Sequence, residues 1–92
     1  MATPDFDELI GRMRGLLIAL GPALSPEESA EVEELLDHAE LGEALRTLAW
    51  LIVEEDKRIP AADVLGIESL AARLEIIEEL PATLRDHGGA DA

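Results

Sequence analysis

The side chains of this chain that could take part in chemistry are mostly carboxylates. Asp and Glu number 21 in 92 residues, against 7 Lys and Arg, two His and no Cys. Acid–base catalysis needs carboxylates made different by their surroundings, and where Glu is this abundant no pair singles itself out. Neither His38 nor His87 has a second histidine or a carboxylate set at metal-ligand spacing, so no metal and no cofactor is expected. Glu34 and His38 fall on one helical face and allow a weak pair. The stronger expectation is that His38 sits near a helix C-terminus as a cation offsetting the negative dipole end. His87, beside Gly88 and Gly89, reads as a tail residue. Without cysteine there is no thiol nucleophile, disulfide or zinc–thiolate site. Glycine-rich phosphate loops and nucleophile elbows are also absent. The residue types point away from an enzyme and toward binding.

The charge is unevenly placed. Residues 1–24 carry −1, residues 25–58 carry −8 and residues 59–92 carry −5, for a total of −14. No Lys or Arg lies between Arg14 and Arg46, an interval that holds Glu27, Glu28, Glu31, Glu33, Glu34, Asp37, Glu40 and Glu43. Like charges three or four apart on a helix, such as Glu27 with Glu31, cost about 0.2–0.5 kcal/mol per pair. Two explanations stand side by side: an acidic solvated face that keeps a small protein soluble, or a face that docks a basic partner, where complementary charge speeds association. The same charge repels nucleic acid and anionic membrane, so neither is expected as a direct partner. No basic-then-apolar leader begins the chain, and no run approaches the roughly 18 apolar residues of a membrane span. A cytoplasmic protein is the expectation.

Helical periodicity organises the chain. Thr3 and Pro4 read as an N-cap and first-turn proline, and Phe6, Leu9, Ile10, Met13, Leu17 and Leu20 recur at helical spacing up to Gly21-Pro22, where glycine can take a left-handed cap. Ser25-Pro26-Glu27-Glu28 is a capping box opening a second helix, with Val32, Leu35, Leu36 and Ala39 as its apolar stripe. Gly42 marks a turn into a third helix through Leu45, Leu48, Ala49 and Ile52, closing near Lys57-Arg58, which are placed to pair weakly with Glu54. Pro60 breaks the run and holds Ile59 extended. A fourth stripe follows through Val64, Ile67, Leu70, Leu74 and Ile77, with Gly66 a weak point that could divide the helix and Pro81 ending or kinking it. Leu, Ile, Val and Ala make the core, since Phe and Trp occur once each and Tyr not at all. The expected fold is all-α: a compact bundle of four short helices, or five if Ala82–His87 adds a last turn, in a single domain over residues 1–87 with a disordered tail at 88–92.

Three further features have competing readings. Trp50 lies among Leu51, Ile52 and Val53, so the third helix is either central and buried nearly all round or carries Trp50 as a partly exposed interface anchor. Gly11 and Gly15, four apart, permit a close helix approach inside the monomer or across a homodimer. Leu65-Gly66-Ile67-Glu68-Ser69-Leu70, followed by Glu75 and Glu78-Glu79, resembles the carrier-protein motif, in which a serine at a helix start bears a phosphopantetheine arm. Only 23 residues follow Ser69, whereas in carrier proteins more than one helix follows; otherwise Ser69 is a surface serine.

The string Leu24-Ser25-Pro26-Glu27-Glu28 through Glu33-Glu34-Leu35-Leu36-Asp37-His38-Ala39-Glu40-Leu41-Gly42-Glu43-Ala44-Leu45, with the acidic cluster Glu54-Glu55-Asp56 and the following Ile59-Pro60, resembles small helical bacterial immunity proteins of the MafI type, which accompany polymorphic or contact-dependent toxins. The resemblance covers roughly Leu24 to Pro60; Ala39 stands where such proteins often have glycine. It implies a cytoplasmic antidote that binds a cognate toxin domain, often a nuclease, and neutralises it by occlusion. A nuclease is basic around its substrate groove, so an anionic helical face suits that role. The residues expected to bind the partner are Glu27, Glu31, Glu34, Asp37, Glu54, Glu55 and Asp56. The competing classes are a carrier protein modified at Ser69 and a structural or regulatory helical oligomer.

Overall fold

Each apolar stripe becomes the buried side of a helix except at its ends, where Phe6, Ala39 and Ile77 are exposed. The computed structural model describes residues 6–89 and contains α1 (Phe6–Leu20), a 3₁₀ turn (Gly21–Ala23), α2 (Pro26–Asp37), α3 (Leu41–Glu54), α4 (Ala61–Arg73) and two further 3₁₀ turns, Ile77–Glu79 and Leu84–His87. The protein is thus the small all-α bundle of four helices that the periodicity predicts, and the extra turn before Gly88 is the 3₁₀ turn Leu84–His87. The expected cap at Thr3 and Pro4 lies outside the described residues, as do residues 90–92 of the expected tail.

Helix ends show where local signals were legible. Ser25 Oγ accepts the Glu28 N–H at 3.1 Å and Glu28 Oε1 accepts the Ser25 N–H at 2.8 Å, so the capping box forms on both sides. The C-terminal ends differ from expectation. α2, α3 and α4 each stop at a non-glycine residue with positive φ, Ala39 (59°), Asp56 (52°) and Glu75 (61°). In each case that residue and the next donate back into the last turn: Ala39 to Leu36 O and Glu40 to Leu35 O, Asp56 to Val53 O and Lys57 to Ile52 O, Glu75 to Ala72 O and Ile76 to Ala71 O. These are three Schellman caps, a motif that usually carries glycine.

The glycines do other things. Gly21 leads the 3₁₀ turn, without positive φ, and Gly42 lies inside the first turn of α3. Gly66 does not divide α4: a Cβ there would come within 3.1 Å of Leu16 Cδ2, so it admits α1 against α4. The fourth helix ends at Arg73, well before Pro81, and Ile77 is exposed in a 3₁₀ turn instead of extending the stripe.

The core is shared by all four helices. Leu9, Met13, Leu17 and Leu20 of α1 meet Val32 and Leu36 of α2, Leu41, Leu45, Leu48 and Ile52 of α3, and Val64, Ile67 and Leu70 of α4. Burial of each Leu or Ile contributes about 1.5–3 kcal/mol. No buried side-chain polar atom among the described residues lacks a partner. The segment from Pro81 to Gly88 is bound to this body: the Ile59 N–H donates to His87 O at 3.0 Å, and Ile59 and Gly88 form an isolated parallel bridge. His87 is therefore no tail residue; its Nδ1 is 2.9 Å from Lys57 O and 3.6 Å from Asp56 Oδ1. No helix is long and apolar enough to cross a membrane among the described residues.

Candidate functional site

The Schellman cap at Ala39 turns the chain back so that α3 lies along α2, and a groove of about 510 Å³ opens between them. Glu28 and Glu31 come from α2; Glu43, Arg46, Thr47, Trp50, Leu51 and Glu54 come from α3, and Glu55 follows it. A second concavity continues it toward the Ala39 turn, sharing Glu31, Glu43 and Thr47 and adding Glu34, Leu35, His38 and Glu40. Glu43, Thr47, Trp50 and Glu54 follow i, i+4, i+7, i+11 spacing, which puts them on one side of α3. That row was readable in the sequence and was overshadowed by the apolar stripe beside it.

Of the seven residues expected to bind a partner, Glu31, Glu34, Glu54 and Glu55 come together along this double groove. Glu27 is exposed on α2 but does not line it. Asp37 is engaged elsewhere, 3.1 Å from Arg14 Nη2 of α1. Asp56 occupies the left-handed cap position of α3 and lies beside His87. Glu28, expected only as a cap, and Glu40, Glu43, Arg46 and Thr47 also line the groove and were not among the residues expected to bind.

The cations present are held locally. Arg46 pairs with Glu43 and with Glu79, whose hydrogen bonds favour the charged guanidinium further. Lys57 Nζ lies 3.0 Å from Glu28 Oε1, joining the end of α3 to the start of α2 instead of pairing with Glu54. The Glu28 carboxyl is held below its ordinary value, first by the Ser25 N–H and then by Lys57. Glu31, Glu54 and Glu55 have no ion-pair partner within 4 Å among the described residues. His38 is the C-cap of α2; its Nδ1 is 2.9 Å from Glu34 O, which raises its pKa, with Glu34, Glu40 and Asp37 adding to the effect. Protonated, Nδ1–H donates to that carbonyl, the helix-end role predicted for it.

Trp50 is not buried. It is 44% exposed, and its Nε1–H donates to Glu79 O at 3.2 Å. The helix around it is buried on the opposite side only, through Leu41, Ala44, Leu45, Leu48, Ala49 and Ile52.

Comparison with family models, curated proteins and solved structures gives no match.

The remaining candidates separate from the groove. Ser69 is exposed in the third turn of α4, not at a helix start, so the arrangement that a carrier serine needs is missing. A Cβ on Gly11 or Gly15 would meet nothing within 4 Å, so neither glycine serves a close helix approach among the described residues. No group of three or more His, Asp or Glu among the described residues is placed to hold a metal ion. What the α2–α3 groove offers chemically is a negative potential focused in a concavity, with an aromatic ring on its wall and hydroxyl and carboxylate acceptors around it.

Proposed function

We propose that this chain is a cytoplasmic immunity protein whose α2–α3 face docks onto, and occludes, a basic surface of a cognate bacterial toxin domain such as a nuclease. The observation that carries the proposal is the groove lined by Glu31, Glu54 and Glu55, carboxylates without a cation of their own among the described residues, next to a half-exposed Trp50. Aromatic residues ringed by polar groups are the usual energetic anchors of protein interfaces. The stretch that resembles immunity proteins, Leu24 to Pro60, is also the stretch that builds this groove, which supports joining the two.

The proposal requires a toxin gene beside this one, whose absence counts against it, and the test uses the domain encoded at the C-terminus of that gene. Protection of cells that express that domain, and direct binding, are the expected results; no binding overturns the proposal. Replacing Glu31→Lys and Glu34→Lys together should slow association roughly tenfold or more at low salt and much less at high salt, because screening shortens the reach of the field. Equal association rates for variant and parent at low salt count against charge-driven docking.

A second reading, a helical oligomer, draws on one observation: Ile18 of α1 is 80% exposed and Leu65 of α4 is 62% exposed. Sedimentation at increasing concentration tests it.

A further inference from the structure

Trp50 is the only tryptophan in a chain without tyrosine, and it sits in the one stretch of α3 that faces the carboxylates. Its indole N–H is already satisfied by Glu79 O, so the ring edge is tethered and the ring needs no polar partner from outside. The exposed part of the ring shares the groove with Glu31, Glu54 and Glu55. Arg46 shows how the neighbouring end treats a cation: it is clamped between Glu43 and Glu79. At the Glu54–Glu55 end the carboxylates stand without such a partner among the described residues, one helical turn from the ring. An aromatic face with nearby carboxylates recognises an ammonium or guanidinium group, and tryptophan does so best.

Resting on the docking reading above, we propose that Trp50, Glu31, Glu54 and Glu55 form a pocket that receives a Lys or Arg side chain from a basic segment of the partner protein. A metal ion suits the place poorly, because an indole is no ligand and no metal-holding cluster occurs among the described residues. A nucleic acid has the wrong sign. Long-range charge brings the partner in, and the pocket holds one cation once it has arrived. The first sets the association rate and the second the dissociation rate.

The chain supplies its own reporter, since emission excited at 295 nm comes from Trp50 alone. The probe is a lysine-rich amphipathic peptide, with the same peptide carrying Gln at every Lys as control. Expected is a saturable change in Trp50 emission with the lysine peptide and none with the glutamine one. Against a labelled lysine peptide, Trp50→Leu should weaken affinity roughly threefold to tenfold and Trp50→Phe should recover part of the loss. Circular dichroism confirms that both variants stay folded, as expected for a side chain outside the core. No binding of the lysine peptide, binding that leaves Trp50 emission unchanged, or equal affinity of Trp50→Leu and parent overturns the pocket. If the toxin domain's association still falls on charge reversal of Glu31 and Glu34 while Trp50→Leu dissociates from it at the parent's rate, the pocket fails and the docking reading survives. If neither variant differs from the parent, both fail.

Discussion

The two long sides of this bundle are built from the same helical pattern and carry opposite chemistry. α2 holds Glu27, Glu28, Glu31, Glu33, Glu34 and Asp37 with no Lys or Arg, so every charge it carries is negative. α1 balances Asp7 and Glu8 with Arg12 and Arg14, and its outward row is Gly11, Gly15 and Ile18. Between α1 and α4 the surface groove is lined mainly by small and apolar groups, with Arg12 and Asp63 as its charges. Both sides rest on one core, so the fold does not require the asymmetry. Concentrating like charge on α2 costs helix stability, and leaving Ile18 in water forgoes burial; each side keeps a feature that stability alone would remove.

The sharpest way to break the comparison is to move the same charge change from one side to the other. Glu31→Lys with Glu34→Lys and Glu8→Lys with Asp63→Lys change the net charge equally. If the groove side docks the partner, the first pair slows association at low salt by roughly tenfold or more and the second by at most about twofold. Equal slowing by the two pairs, measured by stopped flow at two salt concentrations, means that only total charge matters and that the α2–α3 face is a solvated surface.

Glycine substitutions test the packing of the other side. A Cβ on Gly88 would lie 2.9 Å from Cγ2 of Val64, a buried β-branched side chain with little room to turn away. Gly88→Ala should therefore destabilise by about 1–3 kcal/mol, as overpacking does, seen as a lower urea midpoint. Gly15→Ala has open space in an exposed helix and should stabilise by about 0.5–1 kcal/mol. A loss of stability there would mean that something packs against Gly15 in solution, and it would shift weight to the oligomer reading.

Much of the fold was legible because its causes are local. The stripe Leu9–Met13–Leu17–Leu20 and the Ser25–Glu28 box state their structure in residue type and spacing. The ends of α2, α3 and α4 were not legible, because their left-handed caps use Ala39, Asp56 and Glu75 in place of the usual glycine, and of these only Asp favours that conformation; the energy comes from the core that Leu41, Ile59 and Ile76 turn back to reach. Glycine lacks the Cβ clash of that conformation, so Ala39→Gly should raise stability by about 0.5–1 kcal/mol in thermal unfolding. The groove was half legible. Glu31, Glu34, Glu54 and Glu55 declared themselves by charge, but Asp37 and Asp56 look the same in sequence and are drawn off by Arg14 and His87. Trp50 was undecidable, since flanking apolar residues fit both a buried and an exposed ring.

The smallest effect concerns His38, the one titratable cation on the rim of the acidic groove. Its Nδ1–H to Glu34 O contact, and the nearby Glu34, Glu40 and Asp37, favour the protonated form, so its folded pKa lies above the ordinary 6.5. A group raised on folding stabilises fully below its unfolded pKa and loses that contribution as pH climbs through the folded value. The parent should therefore exceed His38→Gln in stability at about pH 5.5, and the gap should close toward about pH 8. His87 is common to both proteins, so whatever it contributes cancels in the difference. A gap that stays constant with pH would assign His38 a purely hydrogen-bonding role. A closing gap carries a consequence for the groove as well: His38 places a positive charge there at low pH, so attraction for a basic partner strengthens as that proton leaves, while the α1–α4 side, with no histidine on either helix, stays indifferent.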